Sequence, residues 1–176
     1  SDLDYEVTGA SCTVTVKAAS ADGSDASATF TITITNTNPT VTDADTSLAE
    51  STSCSGTVVD LANTGDQSSI TWTIASGNED GDGDGTSAFA IAASTGVITV
   101  SDCGDIDDEE AADASFDLVV QATDGSNADT ETITITITNT APTVVDQAIS
   151  YAESTSCAAN VGTITTTGDT TGLTWT

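Results

Sequence analysis

The chain has no histidine and no methionine, and Lys17 is its single basic side chain. Those absences exclude much. Nucleophile–base pairs of the usual catalytic kind cannot be assembled, and only carboxylates remain for acid–base work. A glycosidase-like Asp/Glu pair would need two acids in an apolar pocket, and nothing in the pattern provides one. The chain is therefore expected not to be an enzyme, and no small-molecule substrate is expected. Nucleic acid and anionic lipid surfaces are excluded as partners, because both are bound through clustered Lys and Arg. Without histidine or a CxxC pair, a zinc site is not expected either. No apolar run is long enough to span a bilayer, so membrane insertion is not expected. There is neither an initiator Met nor a signal peptide, and the sequence reads as a processed form or a window of something longer.

What is present is acid. Asp and Glu number 28, for a formal net charge of −27. Such a field suits cation binding, solubility in saline water, or both. Four widely spaced cysteines, Cys12, Cys54, Cys103 and Cys157, read as disulfides and point to an oxidising, extracellular or cell-surface compartment.

Internal repetition organises the rest. The segment TNTNPTVTD at Thr35–Asp43 returns as TNTAPTVVD at Thr138–Asp146, and AESTSC at Ala49–Cys54 returns unchanged at Ala152–Cys157. Thr-Gly-Asp at Thr64–Asp66 returns at Thr167–Asp169, and Thr-Trp-Thr at Thr71–Thr73 returns at Thr174–Thr176, always 103 residues later. Before the middle unit, ADGS…TITIT (Ala21–Thr35) answers TDGS…TITIT (Thr123–Thr138), shifted by about one residue. The sequence predicts one whole unit over 39–141, the last part of a preceding unit over 1–38 and the first part of a following one over 142–176. A unit of this length suits a seven-stranded sandwich.

The strands are read from alternation. Thr29–Asn36 and Thr130–Asn139 alternate apolar residues with Thr, which puts Ile32 and Ile34, and Ile133, Ile135 and Ile137, on one face each. Further strands are predicted over Gly56–Ala62, Ile70–Ile74, Ala88–Ala93, Gly96–Ser101 and the segment that ends in the Asp124-Gly125 turn. No segment has sustained helical periodicity. Many short strands with Gly/Asp turns make an all-β sandwich. Trp72 and Trp175, in equivalent strands, are expected in the core. The outward threonines could carry O-glycans or, much less in keeping with so good a strand former, an ice-binding face. No Asn-x-Ser/Thr sequon is present.

One loop stands out. Asn78–Thr86 alternates acid and glycine, and offers Asp80, Asp82 and Asp84 as cation ligands. An EF-type loop would also want an acid at its twelfth position, which is Ile91 here. The plainer reading is a solvated insertion between two strands. The acid run Asp102–Asp113 is expected to be mostly surface.

In order, the middle unit carries an early Glu (AEST), a GT-led strand, an aromatic strand, FAIAASTGVI, IDDEE, ATDG and a linker ending in Pro. That order resembles cadherin and bacterial cadherin-like repeats, and LDYE at Leu3–Glu6 fits the family's LDRE-like element better than IDDE does. The resemblance covers the whole chain. It implies tandem Greek-key, immunoglobulin-like sandwiches stacked end to end, with calcium held at the junctions by carboxylates of two units. Carried over by residue, the junction before the middle unit would use Asp4, Glu6, Asn36 and Asn38 on one side and Asp66 and Asp124 on the other. The junction after it would use Glu50, Asp107, Glu109 and Asn139, with Asp169 from the following unit. The linkers depart from the family in carrying Asn, Thr and Ala where the family has acids.

In the family's topology the strands that begin after Cys54 and end before Cys103 pair antiparallel, which implies a disulfide between these two. Cys12 and Cys157 then each stand without a partner in a partial unit. Two arrangements remain open. In one, head-to-tail subunits build a composite sandwich locked by Cys12–Cys157 and form a fibre, although that composite lacks the equivalents of Ala88–Ser101. In the other, the polypeptide continues and the cysteines pair beyond this segment. The corresponding functions are a subunit of an extracellular filament or surface appendage, rigidified by disulfides with or without calcium, and a calcium-stiffened stalk of a large cell-surface adhesin whose binding site lies elsewhere.

Overall fold

The computed structural model describes residues 4–107, 114–153, 160, 162–169 and 172–176. Glu109 and Cys157 lie outside them. In chain order the elements are α1 (Tyr5–Thr8), β1 (Ser11–Ala19), β2 (Asp25–Thr33), β3 (Pro39–Val41), β4 (Thr46–Ala49), β5 (Thr57–Asp60), β6 (Asn63–Gly65), β7 (Thr71–Ser76), β8 (Phe89–Ile91), β9 (Val97–Val100), β10 (Ser115–Thr123), β11 (Ala128–Thr138), β12 (Thr143–Val144) and β13 (Thr166–Thr167). Strand dominates, as the alternation requires. The one helix among the described residues is a single turn that periodicity cannot reveal. Asp4 caps it, accepting from the backbone N–H groups of Glu6 and Val7 at 2.9 and 3.1 Å.

The middle unit is built from two sheets. One has the order β4-β11-β10-β7, and the other is β5-β9-β8, with the short pair β3-β6 beside them. All pairings are antiparallel except β4 with β11. The inner face of β10 is Phe116, Leu118, Val120 and Ala122, and that of β11 is Ile133, Ile135 and Ile137, all buried. Facing them from the other sheet are Phe89, Ile98 and Val100. Phe89 and Phe116 bridge the sheets edge to face, ring centroids 5.0 Å apart. Trp72 lies on Gly96, where a Cβ would come within 2.9 Å of the indole. The hydrophobic core cluster runs from Val41 to Ile137.

The flanking pieces repeat parts of this pattern. β1 and β2 form a hairpin with nine paired positions, as β10 and β11 do. The turn is one residue longer in the first. β12 with β13 repeats β3 with β6, Val144 opposite Thr166 as Val41 is opposite Asn63. Trp175, expected in the core, is 57% exposed against 4% for Trp72. Gly96 packs on Trp72, and no glycine among the described residues packs on Trp175 in that way.

Candidate metal centres

The Thr-Gly-Asp motif positions the first site. Gly65 has φ +77, and a Cβ there would meet the Asn38 carbonyl oxygen at 2.2 Å. Only glycine lets β6 pass under the linker in this way. The next residue, Asp66, is thereby set at the joint, its N–H directed to the Asn38 carbonyl at 3.4 Å. The glycine approach recurs at the second motif, although the Asp N–H there reaches one residue earlier in the linker. Gly168 has φ +81, a Cβ there would lie 2.5 Å from the Ala141 carbonyl oxygen, and the Asp169 N–H donates to Thr140 at 3.1 Å.

At the joint before the middle unit, α1 brings Glu6, the linker brings Asn36, β6 brings Asp66 and the β10–β11 turn brings Asp124. Carboxylate oxygens of Glu6, Asp66 and Asp124 lie within 4.8 Å of one another. Beside them is a cavity of about 480 Å³ lined by residues that include Asp4, Glu6, Asn36 and Asp66. Glu6 Oε1, Asp124 Oδ2 and both polar atoms of the Asn36 amide are buried without a hydrogen-bond partner. Asp124 Oδ1 is occupied, accepting from the N–H groups of Ser126 and Asn127 at 2.7 and 2.6 Å. The Asn127 N–H holds the Asp124 carboxyl below its ordinary range. Burial, with the neighbouring Asp124 and Asp66 charges, pushes Glu6 up. Asp4 lines the cavity, but one of its oxygens is taken by the helix cap. The Asn38 side chain is exposed and contributes its backbone carbonyl to the joint.

The donors fit calcium. They are hard oxygens from separate segments, several of them unpartnered, with no basic side chain to balance them. The one such side chain in the sequence, Lys17, pairs with Asp25 in the first hairpin.

At the joint after the middle unit, Glu50, Asp107 and Asp169 line one cavity of about 230 Å³. Glu50 also accepts the Thr140 backbone N–H. Asn139 sits in the linker and is exposed.

The loop acids lie apart from both joints. Asp80 and Asp82 group with Asp105, and Asp82 and Asp84 with Asp102, each set with carboxylate oxygens within 4.8 Å. The sequence does not single out Asp102 and Asp105, which lie in a run expected to be mostly surface. Asp105 is instead fully buried. Its flanks, the buried Ile106 and the core-packed Cys103, were the available signal. Cys103 is joined to Cys54, with Cα atoms 5.3 Å apart. β5 pairs antiparallel with β9, which puts the residues before one strand beside those after the other. Cys12 is half-buried and carries a free thiol.

No family profile matches the sequence, and no curated protein does. Solved structures match the fold. Protocadherin Gamma B2 extracellular cadherin domains 1–5 align with a TM-score of 0.51 and 22% identity, over 84% of this chain and 29% of that one. Drosophila N-cadherin EC1–4 aligns at 0.50 and 18%, over 89% and 41%. Protocadherin Gamma B7 extracellular cadherin domains 1–4 align at 0.50 and 18%, over 84% and 37%. The chain thus spans less than half the length of each of these. Its fold is an all-β, cadherin-like sandwich.

Proposed function

We propose that this chain is a rod-forming segment of an extracellular filament or surface appendage, in which cadherin-like units stack head to tail and calcium stiffens the joints. The observation that carries the reading is the convergence of Glu6, Asp66 and Asp124 from either side of the Asn36–Pro39 linker, with Glu6 Oε1 and Asp124 Oδ2 buried and unpartnered. Calcium accepts several oxygen ligands from separate segments. An ion there would tie the first unit to the second, with the Asn36 amide oxygen as a neutral ligand in place of a linker acid. Glu50, Asp107 and Asp169 would serve the following joint, with Glu109 from the same element. The units are taken as 1–38, 39–141 and 142–176. The disulfide and the acidic surface suit an extracellular place.

Self-association is supported by the first hairpin. Val14, Val16, Phe30 and Ile32 share a face and are all exposed. A sandwich normally covers such a face with a second sheet. Another copy of the chain, cross-linked through Cys12 and Cys157, would supply that cover in a fibre. The second reading, a stalk within a longer adhesin, has the same joints, and its cover comes from the continuing polypeptide. The role is structural in either case and needs no catalysis.

Calorimetric titration of the chelator-treated chain with calcium, together with electron microscopy, tests this. Calcium is expected to bind, and Asp124→Asn to weaken the junction site at least tenfold. Rods that bend in EDTA support calcium-stiffened joints, and filaments that dissolve in reductant support cross-linked subunits. A chain that binds no calcium and has the same shape with and without EDTA overturns the calcium joints. A strict monomer at every concentration, on reducing and non-reducing gels alike, overturns self-assembly and leaves the stalk.

A further inference from the structure

The acidic loop between β7 and β8 is closed at its base by backbone-like bonds. The Asn78 side chain accepts from the Phe89 N–H at 2.9 Å and donates to the Phe89 carbonyl at 2.7 Å. The Ala88 N–H donates to the Glu79 carbonyl at 3.0 Å. The Ala88 carbonyl in turn accepts from the N–H groups of Ser101 and Asp102, at 2.8 and 3.2 Å. The segment after β9 is thereby laid against the loop, and its Cys103 is tied to Cys54. Gly104 makes the closest pass. A Cβ there would lie 2.9 Å from the Asp82 carboxylate and 3.2 Å from that of Asp102.

This arrangement delivers Asp105 beneath the loop. Its Oδ1 accepts from the N–H groups of Gly81 and Asp82, at 2.9 and 3.0 Å. Its Oδ2 has no partner, although the residue is 0% exposed. A buried carboxylate oxygen left unpaired among other carboxylates is costly unless a cation is drawn in. No basic side chain can serve, since Lys17 is committed to Asp25 in the first hairpin. The loop's own N–H groups already orient its acids. Asp80 accepts from Gly83 and Gly85 at 2.8 and 2.9 Å, and Asp82 from Asp84 at 2.9 Å.

We infer that Asp80, Asp82 and Asp105 form a calcium site inside the middle unit, distinct from both junctions, with Asp84 and Asp102 flanking it. The set is all oxygen, on a glycine-rich loop that can supply carbonyls and admit water, which is the chemistry calcium prefers. Asp105 replaces the acid that an EF-type loop would carry in its own sequence, and it comes from a segment fixed by the disulfide. The ion would hold the loop to the β9 end of the second sheet.

The test uses the whole chain, stripped with chelator and then given calcium chloride alone. Amide hydrogen exchange is followed at Glu79–Thr86 and separately at Tyr5–Thr8, and bound calcium is counted by calorimetry. Calcium is expected to slow exchange of Glu79–Thr86 at least tenfold in the parent chain and in Asp124→Asn. Asp105→Asn and Asp80→Asn should each abolish that slowing and remove one calcium per chain, while protection of Tyr5–Thr8 is kept. Asp80 is exposed, so its variant carries the same readout if Asp105→Asn does not fold. Equal exchange of Glu79–Thr86 with and without calcium overturns the loop site, whatever happens at the junction. Loss of the Tyr5–Thr8 response alone overturns the junction reading and leaves the loop site standing.

Discussion

Two hairpins of the same design meet different fates in this chain. β1–β2 and β10–β11 have the same antiparallel ladder, and equivalent positions place apolar residues on one face of each. In the second hairpin Leu118, Val120, Ile133 and Ile135 are all 0% exposed. Their counterparts Val14, Val16, Phe30 and Ile32 are 45%, 52%, 56% and 43% exposed. The ladders form in both because strand alternation and the turn chemistry are local. Burial needs an opposing sheet, and among the described residues β5, β8 and β9 provide one for the second hairpin alone. Covering the bare face would contribute roughly 1.5–3 kcal/mol for each large apolar side chain, which is the drive for whatever packs there.

The sharpest way to break this comparison is truncation. Leu118→Ala or Ile133→Ala is expected to cost about 2–5 kcal/mol in urea unfolding. Val14→Ala or Ile32→Ala should stay within about 0.5 kcal/mol in dilute solution. A large cost at Val14 that grows with protein concentration would show that another copy covers the first hairpin.

Next comes the staple that the first hairpin lacks. Cys54 and Cys103 are 49 residues apart. Replacing both with Ser should lower stability by about 2–4 kcal/mol, read from thermal unfolding. The same variant should weaken calcium at the acidic loop, because Asp102 and Asp105 flank Cys103. Replacing Cys12 with Ser should leave monomer stability almost unchanged.

A smaller effect is expected from Gly77→Ala. Gly77 has φ +80, and a Cβ there would lie 2.0 Å from the Asp117 carbonyl oxygen on β10. The backbone must move, at about 2–3 kcal/mol by denaturant titration. Gly23, in the turn of the first hairpin, has φ +89 but nothing within 4 Å. Gly23→Ala should cost only about 1 kcal/mol, the conformational part alone.

The smallest contrast is in the turn acids. Asp22 is held down to about 2 by the Ser24 hydroxyl and then the Ser24 N–H, with Oδ1 contacts of 2.6 and 2.9 Å. A carboxyl depressed on folding stabilises the turn above its ordinary value of 3.8, and that contribution fades as pH falls toward about 2. Carboxyl NMR titration should find Asp22 ionised well below the unfolded range, and Asp22→Asn should remove the pH dependence of this turn. Asp124 is also depressed, through the Asn127 N–H, so it too should titrate low before calcium is added.

Much of the fold was legible because its signals are local or repetitive. The Thr/Ile alternation of β2 and β11, the Asp-Gly turns and the 103-residue repeat each leave a mark in a single stretch of chain. The Thr-Gly-Asp motif was visible as a repeat, but its reason was not. It lies in the approach of Gly65 and Gly168 to linker carbonyls some thirty residues away. The loop acids Asp80, Asp82 and Asp84 could be picked out by their spacing, whereas Asp105 could not. Its burial comes from a disulfide and two backbone bonds that bring separate segments together.

The sequence by itself determined the strands, the repeat and the acid excess without basic partners, because alternation, turn residues and composition act at short range. Tertiary structure alone decided which of two like hairpins is core and which is bare, since burial depends on an opposing sheet. It also decided that Glu6, Asp66 and Asp124 converge, as do Asp80, Asp82 and Asp105. Charges of one sign spread along a chain declare nothing until folding brings their carboxylates within 4.8 Å of one another.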